Sequence, residues 1–145
     1  RTAGITDVLK GYPGISIVEK QADNWTDDSA VAIVQSWAST YAPGTLTAIV
    51  AEGPEVAAAA EWARSEGRDD ITFVAGDYTA DVQRAIESGA VYGTVVQYPR
   101  EQGTKVIEAI YDWLNGAQDN VKRPTAYTPL PVVTRDNAAN TPPAY

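Results

Sequence analysis

The chain has 145 residues, 44% hydrophobic and 21% charged, which is one domain's worth of sequence with enough apolar material for a core. It contains neither Cys nor His, so thiol nucleophiles, disulfides, Ser-His-Asp triads and Cys/His zinc sites are excluded. Nineteen acidic against eleven basic residues leave a formal net charge of -8, which disfavours non-specific binding to nucleic-acid phosphates.

The first residues read as the end of a helix, and the start at Arg1 rather than Met predicts that residues precede it in the gene product. Nothing there has the basic-then-apolar layout of a signal peptide. Four short apolar, β-branched runs follow, at Ile15–Val18, Leu46–Ala51, Ile71–Ala75 and Tyr92–Val96, each bounded by Gly, Pro, Asp or Asn. Their consecutive apolar residues suit strands buried on both faces of a parallel sheet. Helix-period segments fall between and after them, at about 28–41, 55–66, 79–88 and 100–115. In the first, Val31, Val34, Ala38 and Tyr41 share a face, with Thr26, Asp27 or Asp28 available as N-cap. In the last, Val106, Ile110 and Trp113 share a face flanked by Ile107 and Leu114. Gly67, Gly89 and Gly116 stand just past helix ends, where a left-handed cap is wanted. Beyond Lys122 prolines become dense; only Leu130–Thr134 reads as a strand, and Pro131 makes it an edge or crossing segment. The last residues, NAANTPPAY, read as a frayed tail. The alternation predicts an α/β fold with a parallel, helix-covered sheet and right-handed crossovers.

In open parallel sheets, ligands bind beyond the carboxyl ends of the strands. Those ends read QADNW (21–25), EGP (52–54), GDY (76–78) and QYP (97–99). Carboxylates and amides offer paired hydrogen bonds to hydroxyls, and an aromatic face stacks on the C–H side of a sugar, so these residues suit a polyol pocket. Helix capping or turn formation is the alternative role for Asp23, Asn24 and Asp77. Asp27-Asp28 and Asp69-Asp70 are adjacent acidic pairs whose side chains diverge, a cap and a solvated loop rather than a catalytic dyad. Trp37, Trp62 and Trp113 fall at helix positions suited to packing. No GxGxxG or GxxxxGK cradle for nucleotide phosphates is present, and no base partner is visible for any Ser or Thr.

The ordered blocks YPGISIV, QADNW, LTAIVAEGPEVAAAAEWARSEGRDDITFVAGD, AIESGAVYGTVVQYPREQGTKVIEAI and TPLPVVTRDN resemble the carboxyl-terminal half of ribose-type periplasmic sugar-binding proteins. These have the type I fold, two Rossmann-like lobes closing on a sugar, shared with LacI-family repressor cores. The resemblance implies a carboxyl-terminal lobe over 1–97, incomplete at its start, and a helix over 98–126 that crosses to the other lobe. It further implies a returning strand over 127–137, with the tail at 138–145. It implies ligand-binding roles for Arg1, for Asn24 or Trp25 (Trp25 favoured for stacking), for Asp77 and for Gln97. Relatives carry Asn-Asp after the second strand where this chain has Gly53-Pro54, leaving Glu52 as the nearby substitute and pointing to a ligand other than ribose.

The function implied is a non-catalytic, extracytoplasmic (periplasmic) clamp for a sugar or polyol, serving the membrane permease of an ATP-driven ABC importer. No cofactor, metal or nucleic acid is implied, and a lipid anchor on the full-length protein stays open. The effector domain of a LacI-type regulator and a scaffold that has lost its ligand are the alternatives. Without the amino-terminal lobe, Val106, Ile110, Trp113 and Leu114 lose their cover, about 6–12 kcal/mol of unmet burial at roughly 1.5–3 kcal/mol each. That predicts a homodimer through the 100–115 helix, or a helix folded back on its own lobe.

Overall fold

The computed structural model describes residues 1–145. In chain order it contains α1 (Thr2–Leu9), α2 (Asp27–Thr40), β1 (Ala48–Val50), α3 (Val56–Ser65), β2 (Thr72–Val74), α4 (Ala80–Ser88), β3 (Gly93–Val95), α5 (Pro99–Leu114) and β4 (Val132–Thr134), with short 3-10 turns at 118–120 and 138–140. The sheet runs β1-β2-β3-β4. β1, β2 and β3 are parallel, and β4 lies antiparallel against β3, pairing Gly93 with Thr134 and Val95 with Val132. Pro131 thus precedes an edge strand, as its missing N–H requires.

The helices start and stop for local reasons. Thr26 caps α2 by accepting from the Ser29 amide at 3.3 Å, and Thr79 caps α4 by accepting from the Val82 amide at 3.3 Å. Pro99 opens α5 in its first turn, where no amide partner is needed. Gly89 ends α4 with φ +86°, a conformation a Cβ would disfavour.

The core lies between one face of the sheet and α2, α3 and α4. Ala59, Ala63, Phe73, Val82, Ile86 and Val133 are buried within it, and Trp37 and Trp62 pack at its margin. The small side chains of the Ala run let α3 approach the sheet closely. Burial along β1 and β4 alternates, with Ile49 and Val133 inside and Val50 and Val132 exposed. The apolar runs were expected to be buried on both faces; only one face is covered.

Four other expectations fail, and of the two outcomes expected for α5 the folded-back helix is not the one seen. Ile15–Val18 forms no strand: it is exposed and joins no ladder, because a strand needs a partner and β1 ends the sheet. α5 neither folds back nor buries a single residue; Val106, Ile110, Trp113 and Leu114 line an open apolar groove with Val121. Trp113 therefore lies outside the core, with the Arg123 guanidinium 4.3 Å from its ring centre. The tail is not frayed: Ala138 is fully buried, and its carbonyl accepts from the Tyr78 hydroxyl at 3.2 Å and from Gln83 at 3.1 Å. Asp70, expected in a solvated loop, instead pairs with buried Arg68 at 2.9 Å and accepts from the Gly44 amide at 2.7 Å.

Candidate ligand site at the strand ends

The parallel strands deliver three loops to one end of the sheet, and close backbone contact holds two of them together. The Gly76 amide donates to the Gly53 carbonyl at 3.1 Å, and a Cβ at position 76 would collide with the Glu52 carbonyl. Only glycine lets these loops touch. Beneath them, the buried Thr94 hydroxyl bonds the carbonyls of Ala75 at 3.0 Å and Asp77 at 2.5 Å, fixing the turn from the sheet side. Asp77 itself has φ +61°, and Asn24 and Trp25 have φ +55° and +60°. These are the non-glycine residues in the left-handed region; Asp77 lies in the loop after β2, and Asn24 and Trp25 lie just before α2. Non-glycine residues held there cluster at functional sites.

Arg1 gathers the loops. Its guanidinium donates to both Asp77 carboxylate oxygens, at 2.8 and 3.3 Å, and to Gln97 Oε1 at 2.5 Å. It also donates to the Glu52 carbonyl, while the Thr2 hydroxyl donates to the Glu52 carboxylate. That hydroxyl contact is the main cause holding the Glu52 carboxyl below its ordinary range. Gln97 is oriented from behind, its Nε2 donating to Gln102 at 3.2 Å. Arg1, Glu52, Asp77 and Gln97 are thus brought together as one polar cluster.

Asn24 and Trp25 stand apart from it. The Trp25 amide donates to Asp23 Oδ1 at 3.1 Å, an Asx turn that leaves the indole 65% exposed. The ring lines a second cavity of about 350 Å³ with Pro54, Glu55, Thr79 and Arg84.

Two residues escaped the sequence reading. Glu55 is buried, its carboxyl folded over Gly53 so closely that a Cβ there would collide with it. Burial, then the neighbouring Asp23 and Asp27 carboxylates, push it up to about 7. Tyr145 lies beside Asp77, Arg1 and Glu55; burial first, then the Asp77 carboxylate, raise its phenol above the ordinary range. An acid directly after Gly-Pro at a strand end was a readable signal for Glu55. Nothing in the sequence signalled Tyr145.

Comparison with known proteins gives this arrangement a family. Residues 1–118 match the periplasmic binding protein domain. The chain is 33% identical over 141 residues to the xylitol-binding protein of Mycolicibacterium smegmatis, covering 94% of this chain and 38% of the relative. It is 25% identical over 108 residues to the D-apiose import binding protein of Paraburkholderia graminis, covering 74% and 34%. The chain therefore spans well under half the length of these curated relatives. Among solved structures, the binding component of the arabinose ABC transporter from Shewanella sp. ANA-3, bound to L-arabinofuranose, superposes with TM-score 0.78 at 26% identity, covering 96% of this chain and 46% of that one. A solute-binding protein from Agrobacterium vitis bound to tagatopyranose superposes with TM-score 0.83 at 20% identity, covering 95% and 45%. With the family match over most of its length and the strand-end cluster in place, the chain belongs to the periplasmic binding protein domain family.

Proposed function

We propose that this chain is the ligand-holding half of an extracytoplasmic solute-binding protein that delivers a neutral sugar or polyol to the permease of an ATP-driven importer. The observation that carries the reading is the convergence of Arg1, Glu52, Asp77 and Gln97 in one hydrogen-bonded polar cluster at the strand ends. Nothing about the cluster requires chemistry; a clamp works by closing on its ligand, with contacts made only in the closed state shifting the population. The relatives' printed ligands, xylitol and D-apiose among them, support a small polyhydroxyl compound.

In this reading residues 98–126 cross to the other half of the protein, and the apolar groove on α5 is covered there. Self-association through that helix is then a property of the isolated half alone. The test is a thermal-shift panel of pentoses, hexoses and polyols on the full-length protein. A ligand at about a thousand times its dissociation constant adds about 4 kcal/mol of stability. One selective hit supports the reading, and silence across the panel refutes it.

A further inference from the structure

The residues after β4 hold the least expected order in the molecule. Because β4 is antiparallel to β3, Thr134 lies at the end of the sheet away from the strand-end loops. The chain then turns back along α4. The turn at 138–140 is pinned by Tyr78 and Gln83 on the Ala138 carbonyl. Pro142 and Pro143 hold φ near -65° over the next two residues, which stiffens the segment. The Ala144 amide then donates to the Tyr78 carbonyl at 2.9 Å. That bond holds the end of the chain against the loop that carries Asp77, whose carboxylate acts on the Tyr145 phenol. The Tyr145 ring is still 61% exposed, leaving a face free for a ligand.

We infer that residues 138–145 form a strap that delivers Tyr145 to the ligand cluster, making it a further ligand-binding residue. Its phenol bears on Asp77, and its ring offers an apolar platform to the C–H face of a sugar or polyol. The position lies beyond residues 1–118, the stretch that matches the family model. The inference rests on the sugar-binding reading.

The test uses the full-length protein with Tyr145→Ala, Tyr145→Phe and Asp77→Asn, titrated with the sugar or polyol that gives the largest thermal shift. Tyr145→Ala is expected to weaken binding at least about five-fold with an unchanged melting temperature in the absence of ligand, and Tyr145→Phe to fall between it and wild type. In ring-labelled tyrosine NMR spectra without ligand, the Tyr145 signal is expected to move in Asp77→Asn. Affinity within two-fold of wild type for Tyr145→Ala, while Asp77→Asn abolishes binding, overturns the strap and leaves the sugar-binding reading standing. An unmoved Tyr145 signal in Asp77→Asn overturns the placement. Failure of every sugar and polyol to bind the wild-type protein overturns the reading and the inference together.

Discussion

Glu55 offers a prediction whose size follows from its surroundings. Its carboxyl is buried over Gly53, with Asp23 and Asp27 approaching from the start of α2, and titrates near 7 instead of the ordinary 4.5. The folded state therefore holds a proton that the unfolded chain has released. Its stabilising contribution is fully present below pH 4.5 and is lost as pH rises through 7. A displacement of that size corresponds to about 3 kcal/mol at most, at about 1.36 kcal/mol per pH unit. Glu55→Gln keeps a neutral, hydrogen-bonding group of the same shape and removes the titration. We expect the variant to match wild type near pH 4.5 and to exceed it by up to about 3 kcal/mol at pH 8, measured by denaturant unfolding. Carboxyl-carbon NMR should place the Glu55 midpoint near 7 in wild type, falling in Asp23→Asn as one neighbouring charge is removed. A stability difference between Glu55→Gln and wild type that does not change with pH would refute the reasoning.

Further consequences concern the scaffold and the cluster. Gly76→Ala should lower the melting temperature by several degrees, because the added methyl meets the Glu52 backbone and not a movable side chain. Asp77→Asn in the full-length protein should cost at least ten-fold in sugar affinity, read by calorimetry, since it removes the anion paired with Arg1. Asp70 is held well below the usual carboxylate range, chiefly by its hydrogen bonds from Arg68. Its contribution is present above about pH 4, the ordinary carboxylate value, and is lost on further acidification. Arg68→Met should therefore lower the melting temperature at neutral pH and flatten its fall in acid, followed by circular dichroism.

Features set by neighbours along the chain were legible in the sequence. The α3 and α4 spans, the left-handed glycines and the edge character of the strand after Pro131 all depend on residues within a turn or two. Features needing a distant partner were not. Ile15–Val18 has the composition of a strand, but a ladder needs a second chain segment beside it, and composition cannot report one. The apolar side chains at Val50 and Val132 suggested cover on both faces for the same reason: hydrophobicity marks what could be buried, not what covers it. In the candidate site, the clustering of Asp77 and Gln97 was legible because strand ends are local, and the resemblance pointed to Arg1. Tyr145 was invisible because 67 residues separate it from Tyr78, and one backbone hydrogen bond from Ala144 decides its position.

The charge arrangement in the cluster bears on selectivity. Arg1 is its single cation, and Asp77, Gln97 and the Glu52 carbonyl already engage that guanidinium. Around it the surplus is in acceptors, the carboxylates of Asp77 and Glu52. A ligand hydroxyl both donates and accepts, so it can give its proton to these acceptors without displacing Arg1. A carboxylate or phosphate would have to draw Arg1 away from Asp77, leaving a 9%-exposed anion without its partner. The net charge of -8 adds a long-range penalty against anions. Under the proposed reading, the cluster is expected to select neutral polyhydroxyl compounds over sugar acids and sugar phosphates, by electrostatics before shape is consulted. A sugar acid that bound as tightly as its neutral parent would mean that Arg1 serves the ligand and not Asp77.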